Sequence, residues 1–535
     1  MKITAIDWAI VVLYLGALWG IGLYVAYRHR RQAEGFMVDR RFGWFTIGTS
    51  IFATNIGPAF LLASASAAYA VGMATANFEW LAWIFLFLLA VVFAPHYLRL
   101  RITTMPEFMR RRFGNSTADF LSWYGLGTII VLWVGGDLFV GSRLLHQMLG
   151  IDEWQCLLAL AVIFTSFTVA GGFAAVMVTD AFQAVLMIGS MLTLNIIAFS
   201  HIGSLGALRD GVPADYWQLF RPAGDAKYPW PAIVLGYPIL GLWFWCTDQT
   251  IVQRMLGARD LRQAQLGATF TAFLKILPPF LFMMPGIFCL VLQPRLDSPD
   301  KAFLTMLTNY MPVGMVGLMI SVLFAASVAG VAGGLNAFST IFTMDIYRRQ
   351  VRPAASPIHL KRVSQWVVVV VAVAAVGAAM AMQRSGKNIF DTLQSVIAYF
   401  APPVATVFVL GVAWHRATAA AAQVTLYVGS AVSLSIGLMD LLGQPYRGFW
   451  PHFMLMTFFL FLFCSLLFVL VSLCTTHASY EQMIEVTPRQ RAAEGSPDPA
   501  PGAGTLGWIL WAVLAAIMIT LYAVFSYCAR SGGVK

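Results

Sequence analysis

Charge is scarce in this chain of 535 residues: Asp, Glu, Lys and Arg together make up 11% of it, against about 25% in soluble globular proteins. Hydrophobic residues reach 59%. That balance excludes a water-soluble enzyme. Cysteine is scarce as well: Cys156, Cys246, Cys289, Cys464, Cys474 and Cys528 lie in or beside apolar runs without a CxxC pair, so neither a disulfide framework nor a zinc site is readable. The zinc-protease HExxH, the phosphate-loop GxxxxGKS/T and the nucleophile-elbow GxSxG are absent, leaving an intramembrane enzyme as a distant alternative. Long polar segments are missing too. The longest, Thr475 to Gly504 with GSPDPAPG at Gly495 to Gly502, reads as a cytoplasmic connection too short for a domain.

What is present is a succession of apolar runs, each of about 20 residues and so long enough to cross roughly 30 Å of hydrocarbon. Fourteen spans are predicted, at about 6 to 27, 45 to 70, 79 to 98, 119 to 147, 155 to 171, 178 to 202, 232 to 253, 267 to 292, 312 to 346, 363 to 382, 389 to 413, 417 to 441, 450 to 474 and 505 to 528. The first has Asp7 near its start, arginines after it and no small-residue cleavage site, which makes it a retained helix rather than a signal peptide. The formal charge of +10 resides in short loops. Placing both termini outside puts most of the 34 Lys and Arg on the cytoplasmic side, the usual signature of membrane orientation, and no nucleic-acid site is implied. In the first span Gly16 to Gly20 fits the small-residue packing motif GxxxG.

A helix in lipid must satisfy its own backbone, so mid-span breaks belong where unwound backbone lines a cavity. In the second span Ala53-Thr54-Asn55-Ile56-Gly57-Pro58 interrupts an apolar run, and in the seventh Gly236, Pro238 and Gly241 precede Trp243 to Gln249. These spans are five apart. Broken helices at matching positions of two halves point to a transporter built on inverted repeats, with its site near the midplane, rather than to a channel with a repeated pore loop. Pro402-Pro403 is read as interrupting the eleventh span.

Polar groups inside spans mark the candidate site. Lys275 lies nine residues into its span, about 13 Å deep, a long reach for snorkelling. Glu79 opens the third span, and Gln394, in the eleventh, offers both donor and acceptor to a hydroxylated ligand, or glue between helices. Among the aspartates, Asp248 and Asp345 lie near cytoplasmic arginines and suit ion pairing or gating. Asp180 is either an ion-exit carboxylate or a solvated helix cap. Asp137, flanked by Gly135, Gly136 and Gly141, is expected to find an internal partner, because an unpaired charge there is costly.

At these residues the sequence resembles the sodium/solute symporter family, most closely its sodium/glucose cotransporter branch. The matching segments are IFATNIGPAF at Ile51, ATANFEW at Ala74, TMPEFMRRRFG at Thr104, TVAGGFAAVMVTDAFQ at Thr168, LWFWCTDQTIVQR at Leu242, LNAFSTIFTMDIYRR at Leu335 and DTLQSVIAYFAPP at Asp391. The resemblance implies an all-α membrane protein of about 14 helices with a LeuT-like core of two inverted five-helix repeats. Residues 1–44 would hold the leading helix and a cytoplasmic loop, 45–202 the first repeat, 203–231 an extracellular loop, 232–413 the second repeat, and 414–535 three peripheral helices with a cytoplasmic loop at about 475–504. It further implies alternating-access transport of a sugar or similar solute in the plasma membrane, or the inner membrane of a Gram-negative bacterium. Membrane lipid and the solute are the only partners readable.

The family's sugar-contacting positions fall on Asn55, Glu79, Lys275 and Gln394, with Trp245 at an aromatic one; Phe244 stands where an inner-gate Tyr is usual, hydrogen-bonded to the residue that is Asn55 here. Sodium, the coupling ion, would be held by backbone carbonyls at Ala53 and Ile56 and by serine-rich positions that here are Ala326, Ala329 and Gly330. All three lack the hydroxyl, and Ser327 is one residue off, about 100° round the helix. A hard cation wants several oxygen ligands. Weakened or altered sodium coupling is therefore expected, a proton-linked carrier using Asp180 or an uncoupled carrier or sensor is the second reading, and serine at Ala329 and Gly330 should restore sodium dependence.

Overall fold

The computed structural model describes residues 4–28, 40–225, 227–383, 389–446, 449–476 and 502–531. Most of the two expected cytoplasmic loops, 29–39 and 477–501, lies outside them. Every regular element among the described residues is helical, with β-pairing limited to the isolated bridges Phe42 to Ala258 and Arg221 to Pro229.

Among the described residues, twelve stretches are long and apolar enough to cross a membrane. Two of them are long enough to cross twice. Glu153–Ile202 runs for 50 residues, about 75 Å at 1.5 Å per residue, and turns at Gly172, whose φ of 62° favours glycine. Phe60–Arg99 is turned likewise at Gly72, with φ 72°. Counting each as two gives the fourteen crossings expected from hydropathy.

Both helices are interrupted in the described backbone, the second where foreseen and the seventh beyond its Gly-Pro cluster. The second helix stops at Asn55, leaves helical geometry at Ile56 (φ −97°, ψ 72°) and resumes with Pro58 at its first turn, where a missing N–H costs nothing. The seventh runs through the Gly236, Pro238 and Gly241 cluster and a π turn at Trp243–Thr247, then breaks at Asp248 (φ −70°, ψ 128°). There the Asp248 carboxylate accepts hydrogen bonds from Thr250 N at 2.9 Å and Ile251 N at 3.4 Å, starting the helix Gln249–Leu256.

The eleventh helix corrects the sequence reading. Ile389–Ala413 is continuous across Pro402 and Pro403. The two prolines cannot donate to the carbonyls of Ala398 and Tyr399, four residues back, but neighbouring helices supply the donors: Thr457 Oγ1 to Ala398 O at 3.2 Å and Ser433 Oγ to Tyr399 O at 2.6 Å. The helix therefore keeps its course without its own bonds. Ser433→Ala should leave the Tyr399 carbonyl buried and unpaired, costing roughly 1–3 kcal/mol, to be read as a lower melting midpoint of the purified protein.

Nearly every residue of the ninth helix, Met315–Ile341, is buried, which places it at the centre. The first helix is fastened to its start: Asp7 Oδ1 accepts from Gly314 N at 2.9 Å and Gly317 N at 2.8 Å. The GxxxG reading fails within this chain. No heavy atom lies within 4 Å of where a Cβ on Gly16 or Gly20 would stand, and the first helix docks instead through Val11, Leu18 and Val25.

Candidate functional site

The interrupted second and seventh helices, with the third, fourth and eleventh, enclose a central cavity. Asn55, Glu79, Trp245 and Gln394 all line it. Lys275 sits behind that wall rather than in it. Its ammonium donates to Asn55 Oδ1 and to Glu79 Oε2 and lies 4.9 Å from the centroid of the Trp245 ring. The eighth helix makes this possible by ending its first piece at Leu274, so that Lys275 projects from a turn. The ammonium is 1% exposed, which excludes snorkelling, and its pairing with a carboxylate offsets the charge that burial would otherwise penalise. One cation thus fixes the orientation of two side chains that line the cavity.

The rest of the lining is largely aromatic and apolar, and begins beside the polar groups with Trp245. Phe244 is stacked on Trp133, with centroids 5.4 Å apart and planes at 27°, and meets Trp245 edge-on at 4.9 Å. The Trp133 indole N–H donates to Asp248 Oδ2 at 3.2 Å, so the stack is fastened to the break in the seventh helix. Phe244 has no hydroxyl to offer Asn55, whose carbonyl oxygen accepts from Lys275 instead. A lining that combines amide and carboxylate groups with aromatic rings suits a molecule with hydroxyls on its rim and C–H groups on its faces.

The segments read as the ion site also converge. Gly57, next to Ile56 at the break of the second helix, and Gly330 in the ninth meet at one side chain: Asp137 Oδ1 is 2.6 Å from where a Gly57 Cβ would be, and Oδ2 lies against the corresponding position of Gly330. Ala53 O accepts from Ile56 N at 3.2 Å, and Ala53, Ala326 and Ala329 are buried. Ser327 is turned away, its hydroxyl bonded to Leu323 O of its own helix at 2.9 Å.

Three aspartates each lose one of their two sequence readings. Asp180 is fully buried, accepts from Ser50 Oγ at 2.6 Å and faces Arg254 at 3.8 Å, so it is no solvated cap. Asp248 caps a helix and holds Trp133 rather than pairing with Arg254. Asp345 makes no ion pair among the described residues, since Arg349 reaches Asp119 instead. Asp137 is contrary to expectation in another way: it is 8% exposed and has no hydrogen bond or ion pair among the described residues. Trp133 was not foreseen. Its spacing of four from Asp137, one helix turn, was the available signal that both face the same way.

Residues 36–429 match the model of a family described as the sodium:solute symporter family. A sodium/glucose cotransporter 4 from Danio rerio is 30% identical over 534 residues, covering 91% of this chain and 81% of its own. A sodium/mannose cotransporter from Bos taurus is 34% identical over 479 residues, with 82% and 80% covered, and a sodium/myo-inositol cotransporter 2 from Oryctolagus cuniculus is 33% identical over 474, with 82% and 70% covered. Among solved structures, a Na+-coupled sialic acid symporter in its substrate-bound outward-open state superposes with a TM-score of 0.76 at 22% identity, over 89% of this chain and all of that one. The nucleobase-cation symporter Mhp1 gives 0.50 at 14% identity, over 84% and 98%. Both likenesses establish the fold.

Proposed function

This chain belongs to the sodium:solute symporter family, and from that premise we propose that it carries a sugar or similar polyhydroxylated small solute through the plasma membrane by alternating access. It is a multi-pass membrane transporter and not an enzyme, and sodium-coupled solute symport is its class. The observation that supports the finer reading is a cavity lined together by Asn55, Glu79, Gln394 and Trp245, the indole ring lying beside the ammonium that holds Asn55 and Glu79. Carboxylate and amide groups bind hydroxyls, while the indole face packs on the C–H side of a sugar ring. Lys275 is the positioning residue behind them, and Phe244, stacked on Trp133, is the inner gate. Repeats at 45–202 and 232–413 and termini on the outer side complete the reading.

Protein reconstituted in liposomes should take up a labelled monosaccharide or polyol saturably, with competition among related sugars. Uptake of an amino acid or a simple carboxylate, with none across a broad sugar and polyol panel, overturns the substrate class. Gln394→Ala should weaken sugar binding by roughly 1–3 kcal/mol, about 5- to 150-fold, by leaving a hydroxyl unpaired. Calorimetric titration of the folded variant checks it. A proton-linked or uncoupled carrier or sensor is the second reading, favoured by the missing hydroxyls at Ala326, Ala329 and Gly330; uptake driven by a pH gradient and indifferent to sodium would favour it.

A further inference from the structure

The buried acids around the cavity are answered by the protein in every described case but one. Glu79 has Lys275; Asp180 has Arg254 and the Ser50 hydroxyl; Asp248 has the Trp133 indole and two backbone N–H groups. Asp137 has none of these among the described residues, although it is more than nine-tenths buried and lines the cavity. An ionised carboxylate in such a place is strongly disfavoured without a counter-charge.

Its position says where that counter-charge belongs. The carboxylate bridges Gly57, beside the unwound Ile56, and Gly330, one turn beyond Ala326. Both glycines leave space that the carboxylate fills. A Cβ at either would meet a carboxylate oxygen, so position 330 carries no hydroxyl because the oxygen of another helix already stands there. We propose that Asp137, from the fourth helix, is the anionic ligand of the coupling sodium in this chain, completing with the backbone carbonyls of the broken second helix the oxygen shell that the ninth helix no longer supplies. This rests on the reading of the chain as sodium-coupled. A single unanswered carboxylate matches a single positive charge, which suits a monovalent cation better than a divalent one. The missing serines are thus replaced, with an acceptor that carries full charge.

The test uses the full-length purified chain in choline medium without sugar, measuring binding of radioactive sodium and the melting midpoint. The wild type should bind sodium saturably, one per chain, and melt higher as sodium is added. Asp137→Asn should lose both responses, yet melt in choline at or above the wild-type midpoint, because the uncompensated charge is gone. Gly330→Ser should also lose sodium binding by displacing the carboxylate, whereas Ala329→Ser should keep it; serine at 330 thus does the opposite of what the sequence alone suggested. The proposal is overturned if Asp137→Asn binds sodium like the wild type, if it melts lower in choline as a merely structural residue would, or if the wild type responds to pH and not to sodium. Because no sugar is present, failure of the substrate reading leaves this result intact. Sodium binding that depends on Asp137, with sugar uptake indifferent to sodium, would leave the site standing and remove the coupling.

Discussion

Lys275→Met should abolish saturable solute uptake and destabilise the folded protein. The ammonium is the shared partner of Asn55 and Glu79, so methionine removes the group that aims two cavity-lining side chains and strands a carboxylate of which only 5% is exposed. Breaking a buried ion pair from one side costs roughly 3–5 kcal/mol, far more than the pair contributes when intact. Adding Glu79→Gln removes the stranded charge and should recover most of the melting midpoint. Uptake should stay absent in the double variant, because neither amide is then held in place. Wild-type uptake by Lys275→Met would show that the pair only fills space.

Arg254→Met should be nearly as damaging, for a reason unconnected with the solute. Asp180 and Arg254 are both buried, and Asp180 also accepts from Ser50 Oγ, so the pair joins the sixth helix, the second helix just before its break, and the second piece of the seventh. Loss of the guanidinium leaves Asp180 with only the Ser50 and Thr54 hydroxyls for company in a buried site, again a penalty of roughly 3–5 kcal/mol. Asp180→Asn in the same chain should restore much of the stability, measured as melting midpoint and yield of monodisperse protein. A double variant no better than the single would assign the loss to the Arg254 stem and its bond to Thr250 O.

The crossings and the break in the second helix were legible because the membrane imposes them locally: an apolar run of fixed length and a Gly-Pro interruption are properties of contiguous residues, whereas the seventh helix breaks beyond its Gly236, Pro238 and Gly241 cluster, at Asp248. Lys275 was legible for the same reason, an ammonium being conspicuous in an apolar span. What escaped depended on other helices. Pro402-Pro403 reads as a break until Ser433 and Thr457 arrive from two neighbouring helices. Asp248 lies six residues from Arg254 in sequence, yet it caps the helix that carries Arg254, whose guanidinium reaches Asp180 instead. Gly330 reads as a lost ligand in one dimension; in three it is room made for Asp137, nearly two hundred residues earlier.

The fastening of Asp7 to the ninth helix bears on how the protein is made. Its two backbone partners lie 307 and 310 residues later, which at a synthesis rate of about 5–20 residues per second separates them by roughly 15–60 s. The first helix therefore enters the bilayer long before its seat exists, and the centre of the molecule closes only after more than half of the chain has left the ribosome.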